Sequence, residues 1–193
     1  MARNPKSLRT INVVDFEATC WDNDDEKDDQ PMEIIEFGIV QIRFNDGGWQ
    51  LQRHVPLSFY VKPRWSTVSG FCTSLTGIQP QHLRDAHHLP RVIKDVNKAG
   101  YALAKYPWAS WGNYDAKQML RDCARHGITY PFSGSHINVK DQHAFTTGKS
   151  RGIGLSNALK EMGMEFIGDP HKAYDDAFNV ARVLVEILNR RLK

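Results

Sequence analysis

The sequence predicts a single α/β domain, and three observations carry that reading. Strand-like runs fill the first third of the chain, helical patterns fill the rest, and neither a repeat nor a linker interrupts them. At 193 residues the chain suits one domain with a proper core and is short for two. Residues 1–193 are therefore read as one unit. Its first nine residues form a basic tail that lacks the apolar core of a secretory signal.

The first strand runs from Ile11 to Phe16 within INVVDFEATC, three apolar residues leading into two carboxylates. The second is EIIEFGIVQIRF, Glu33 to Phe44, alternating and rich in β-branched residues. Asp46, Gly47 and Gly48 then make a turn, and Trp49 to Val61 returns as a third strand in a meander. Between the first two strands lies DNDDEKDDQP, residues 22–31, an acidic segment that no core could absorb and that reads as a solvated, mobile loop.

After Pro63 the texture becomes helical. Pro80 suits the first turn of one helix. Leu89 to Lys105 carries an apolar stripe at Leu89, Val92, Ile93 and Val96. A short apolar run ends at Asp115 and is followed by a helix closed by Gly127, and GLSNALKEMGM forms another ending near Gly163. The last, Asp175 to Leu192, sets Ala177, Val180, Ala181, Leu184, Val185 and Leu188 on one face.

Composition narrows the function classes. No run approaches the roughly 18 apolar residues of a membrane span. Cys20, Cys72 and Cys123 are odd in number and form no CxxC pair, which argues against a disulfide framework or structural zinc and for a reducing, cytoplasmic setting. The formal charge of +3 permits nucleic-acid binding without announcing it.

The chemistry lies in the acids. Residues i and i+2 of a strand share a face, so Asp15 and Glu17 stand side by side and repel each other. Asp115 sits where an apolar run meets a helix. Asp176 sits in the first turn of the final helix, five residues after His171 in HKAYDD. Strand ends and helix starts can converge at one sheet edge, the usual ligand crevice of α/β folds. Four ionised carboxylates together are intolerable unless cations neutralise them, and hard oxygen ligands favour magnesium or manganese. Two such ions form a clamp for displacement at phosphorus, with a histidine in the useful pKa range as base. Taken singly, each residue has an ordinary reading: Asp115 as a helix cap, Asp176 as an acid facing the helix dipole, His171 as a surface histidine.

Taken in order, D-x-E, a middle Asp, then H-x-x-x-x-D, the chain resembles the DEDDh 3′-to-5′ exonucleases. VVDFEATCW, EIIEFGIV, SGFCTSLTGI and HKAYDDAFNVARV are similar to the branch of histone-mRNA 3′-end exonucleases, enhanced-RNAi exonucleases and bacterial KapD-like proteins. The resemblance spans roughly Ile11 to Leu188. It implies an RNase H-like fold, a five-stranded mixed sheet flanked by helices. It also implies two divalent ions, Mg2+ or Mn2+, on Asp15, Glu17, Asp115 and Asp176, and His171 as general base. The spacing selects Asp176 over Asp175, which is left as a supporting or surface residue. The terminal base is expected between Phe71 and Tyr114, with Leu75, Thr76 and Ala18 nearby, and stacking is worth about 1–3 kcal/mol per base.

The implied partner is a single-stranded RNA or DNA 3′ end, RNA on the branch resemblance alone, with no membrane and no named protein partner. The resemblance leaves two alternatives: an exonuclease acting mainly on DNA or short oligonucleotides, and a non-catalytic regulator with the same fold. The SAP module of eukaryotic relatives is not expected in a chain of this length. GKSRGIG fails as a phosphate loop because His143 stands where the first glycine is needed; Lys149 and Arg151 are left either as phosphate contacts or as solvated charge. His87 and His88 read as helix surface.

Overall fold

The structure is a computed structural model that describes residues 9–22, 29–45, 47–52 and 57–190. The core sheet grows from β1 (Thr10–Ala18), which pairs antiparallel with β2 (Ile34–Asn45) over almost its whole length. On the far edge of β2, β3 (Gly48–Leu51) and β4 (Leu57–Tyr60) pair with different stretches of that strand, also antiparallel. The expected single strand from Trp49 to Val61 is thus two short ones, so six strands make a sheet five ranks wide. On the other side, β5 (Trp108–Ser110) and β6 (His136–Asn138) run parallel to β1, in the order β3-β2-β1-β5-β6.

Seven α-helical or 3-10 segments surround the sheet among the described residues. Helix α1 (Gly70–Thr76) was not expected from periodicity, being only two turns long. It is defined by its ends: the Ser69 hydroxyl accepts from the Cys72 N–H, and Gly77 closes it at φ 70°. The helix expected from Pro80 is only a 3-10 turn, Pro80–Leu83, because the chain then straightens into a bridge between His87 and Val61. Helix α2 (Leu89–Lys98) ends well short of Lys105, where Ala99 and Gly100 (φ 97°) turn the chain away. Helix α3 (Tyr114–His126) closes at Gly127 as expected. Helix α4 (Val139–Thr146) follows β6 without a break, and α5 (Leu155–Glu161) precedes α6 (Ala173–Arg190). Helix α6 starts two residues before Asp175, and Leu192 lies outside the described residues.

The alternation of β1 assigns its two faces. Val14 and Phe16 pack with Phe37, Ile39, Val92, Val96 and Trp108 beneath α2 and α3. Ile11 and Val13 pack with Val40 and Ile42 against Ala177, Val180, Ala181 and Leu184 of α6. Continuing that second row by steps of two gives Asp15 and Glu17, which therefore face the start of α6.

Gly38, opposite Asp15 in the β1–β2 register, lets that start come close. A Cβ at Gly38 would stand 2.1 Å from the Ala173 carbonyl oxygen, so the first turn of α6 lies directly on the sheet. Gly38→Ala should lower unfolding stability by about 1–3 kcal/mol, an overpacking penalty, and displace the α6 start. Gly70→Ala, with nothing within 4 Å, is the control. Urea unfolding of the two variants checks this, and equal midpoints would contradict the close contact.

Candidate active site

The C-terminal end of β1, the start of α3 and the start of α6 meet at one edge of the sheet. Asp15 and Glu17 arrive on the α6 face of β1. Parallel pairing of β5 with β1 carries the following turn, and with it the first turn of α3, to the same edge. There the buried Asp115 accepts a hydrogen bond from the Phe16 N–H through Oδ1 (3.0 Å). It caps a strand edge of β1, which ties α3 across to the acidic pair.

Asp176 lies in the first turn of α6, and its Oδ2 accepts from the His171 N–H (2.7 Å). That bond closes a tight loop in which His171 holds φ 63°, a left-handed conformation costing a non-glycine residue about 1–3 kcal/mol. Such strain persists where surrounding contacts over-determine the backbone. Here they present an exposed imidazole to the cleft.

One oxygen each from Asp15, Glu17 and Asp176 lies within 4.8 Å of the others, a separation a cation of hard oxygen preference can bridge. All four expected acids and His171 line one cleft of about 370 Å3, at the small end of ligand pockets. Burial pushes the Asp15 carboxyl well above its ordinary range, and repulsion from Asp115, Asp176, Glu17 and Glu36 pushes it further. Glu17 is raised to about 8 by burial, then by Asp176, Glu36 and Asp115, with Lys172 opposing. Burial likewise lifts Asp115 to about 7, against the Phe16 N–H that favours its charged form. Asp176 is also raised, chiefly by burial. Donors this crowded and this reluctant to ionise alone fit a site for divalent metal.

The expected substrate residues divide. Ala18, Leu75 and Tyr114 line the cleft with the acids. Phe71 is exposed one turn before Leu75 on α1 and stands outside that lining. Thr76 is buried, and its hydroxyl is committed internally, donating to the Cys72 carbonyl (2.8 Å) and accepting from the Ile78 N–H (3.1 Å). Asp175 turns away to accept from the Asp169 N–H (2.9 Å). Lys149 pairs with Glu161 on α5.

Two residues went unnoticed in the sequence. Glu36, facing Glu17 across the strand pair, is a buried fifth carboxylate whose Oε2 accepts from the Ala173 N–H (3.1 Å). A lone acid inside an apolar strand run was its signal. Lys172 donates from Nζ to the Thr76 carbonyl (2.6 Å), joining the end of α1 to the His171 loop and placing a cation near Glu17. Trp111, Leu155, Cys20 and Met32 complete the cleft wall.

Known proteins share this fold and part of the sequence. Residues 13–184 match the family model RNase_T, described as Exonuclease. The chain is 31% identical to human 3'-5' exoribonuclease 1 over 92% of its own length and 52% of the relative's, and 27% identical to the Drosophila melanogaster 3'-5' exonuclease Snipper over 97% and 72%. It therefore spans about half the length of the mammalian exoribonucleases it matches. Among solved structures, the nuclease domain of 3'hExo, a DEDDh family member bound to rAMP, superposes with a TM-score of 0.82 at 30% identity, covering 96% of this chain and 94% of that one. A 3'-exonuclease recognising the 3' end of a histone mRNA stem-loop superposes equally, at 29% identity, covering 96% and 84%. With a family match across most of the chain and the acidic cleft in place, this protein belongs to the exonuclease family, on its DEDDh branch.

Proposed function

We propose that the described residues form a single catalytic domain that shortens single-stranded nucleic acid from its 3′ end, RNA in preference to DNA, releasing nucleoside 5′-monophosphates. One observation carries this reading: His171 and four carboxylates from the N-terminal, middle and C-terminal parts of the chain line a single cleft. The RNA preference rests on the exoribonuclease relatives. The all-oxygen donor set favours Mg2+ or Mn2+ over softer ions. A reducing cytoplasm is the proposed compartment, in keeping with three free cysteines, and no helix among the described residues is long and apolar enough to cross a membrane.

Asp15, Glu17, Asp115 and Asp176 would hold two divalent ions. Bound there, those ions supply activation of a water and neutralisation of charge building on the phosphate. The chain's own residues do the rest. His171, held by its backbone bond to Asp176, takes the proton of the attacking water on its imidazole. Tyr114 and Leu75 bound the terminal base with apolar surface, and the cleft wall at Trp111 and Leu155 limits its depth. A terminal nucleotide is of a size to occupy this space.

End-labelled single-stranded RNA and DNA of equal sequence, with Mg2+ or EDTA, test the reading. A ladder shortening from the 3′ end, dependent on metal and faster for RNA, is expected. Asp176→Asn should abolish turnover with the fold intact. His171→Ala should slow it roughly 10²–10⁴-fold with metal affinity little changed, and a wild-type rate would remove His171 as the base.

Metal removal gives a further expectation. In the metal-free protein Glu17 titrates at about 8 and Asp115 at about 7, against ordinary values of 4.5 and 3.8. A raised folded pKa stabilises the fold fully below the unfolded pKa, and that stability is lost as pH rises through the folded value. The melting temperature in EDTA should therefore fall between about pH 4 and pH 8, and saturating Mg2+ or Mn2+ should offset the fall. A metal-free protein whose melting is flat across that window would contradict the electrostatics described.

A further inference from the structure

Beyond the cleft, the face built from residues 62–68 and the end of α3 concentrates cations around one exposed tryptophan. Trp65 is 40% exposed, with the Arg64 guanidinium 5.2 Å from its ring centroid and the His126 ring 4.8 Å away. Arg64, Arg125 and His88 all crowd His126. Among the described residues, the acids bonded to this cluster are Glu33 and Asp122, and both are buried. Glu33 accepts from the N–H groups of Arg64 (2.8 Å) and Trp65 (2.7 Å) and from the Ser66 hydroxyl (2.7 Å). Asp122 accepts from Arg125 (2.7 Å) and from the Ile34 N–H (2.8 Å). These carboxylates fix the loop and the arginine from below, while solvent meets positive charge and an indole.

The face adjoins the cleft. The Met32 carbonyl accepts from Arg125 (2.9 Å) and the Cys20 carbonyl from the Ser69 hydroxyl (2.6 Å), and Met32 and Cys20 both line the cleft. Next to it, Lys62 and Arg84 flank a hollow of about 290 Å3 floored by Val68 and Leu83. Planar apolar surface interleaved with guanidinium groups is the chemistry that takes up single-stranded nucleic acid, bases on rings and phosphates on cations.

We propose that this face is the track for the single-stranded RNA lying 5′ of the terminal nucleotide, with Trp65 stacking one base and Arg64 and Arg125 meeting the phosphates. The proposal rests on the exonuclease reading. It makes affinity depend on substrate length, because a mononucleotide fills the cleft without reaching Trp65.

The test compares a 12-nucleotide single-stranded RNA with the p-nitrophenyl ester of thymidine 5′-monophosphate. Trp65→Ala should raise KM for the RNA roughly 5- to 150-fold, the stacking contribution of one base, and leave turnover of the ester within about twofold. Trp65→Phe should restore most of the RNA affinity. Arg64→Gln should flatten the dependence of log affinity on log salt by about 0.7, the value of one single-strand phosphate contact. Unchanged KM for RNA in an active protein overturns the track. Equal losses on both substrates, not recovered by Trp65→Phe, assign Trp65 to folding and also overturn it. Polyglutamate competing as well as RNA at equal charge reassigns the face to an acidic protein partner. Wild-type protein inactive on both substrates overturns the exonuclease reading itself.

Discussion

The contact between Gly38 and the Ala173 carbonyl sets how near the final helix comes to the sheet, and the site depends on that distance. Ala173 is the first residue of α6 and Asp176 follows within the same turn. With no side chain at Gly38, that turn rests on β2 directly opposite Asp15. Any added atom there separates Asp176 from the acidic pair. A single absent methyl group thus brings together residues from both ends of the chain.

The closeness has an electrostatic consequence. Five carboxylates, counting Glu36, gather at a partly dry edge of the sheet, and burial and mutual repulsion raise the pKa values of Asp15, Glu17, Asp115 and Asp176. Backbone N–H groups relieve three of them: Phe16 for Asp115, His171 for Asp176 and Ala173 for Glu36. Each bond also fixes a carboxylate's orientation. Among the described residues no backbone N–H gives Asp15 or Glu17 such relief, and Lys172, the cation that acts on Glu17, is anchored to the Thr76 carbonyl. The fold holds its acids in place and leaves their repulsion to an external positive charge.

Much of this was readable in advance, for definite reasons. Period-two alternation puts Asp15 and Glu17 on the face already marked by Ile11 and Val13, so their direction followed from the strand. The apolar stripe of α6 fixed which turn carries Asp176. Gly127 ended α3 where left-handed closure requires it. Other features depend on tertiary contacts that leave little local trace. Helices α1 and α4 are too short for periodicity to register, and β5 and β6 have three residues each. Pro80 suits a helix start, yet the partnership of His87 with Val61 ends the turn early. Thr76 sits beside Leu75 in sequence, but helical geometry turns its hydroxyl into α1 and leaves Leu75 on the cleft. Glu36, Gly38 and Trp65 matter through neighbours distant in the chain.

Anomalous diffraction from crystals grown with Mn2+ and a nucleoside 5′-monophosphate reads the central claim most directly. The expected result is manganese density bounded by Asp15, Glu17 and Asp176, with the phosphate beside it and the His171 ring facing the phosphate. Manganese peaks confined to other parts of the surface at saturating concentration, with these carboxylates bare, would contradict the account.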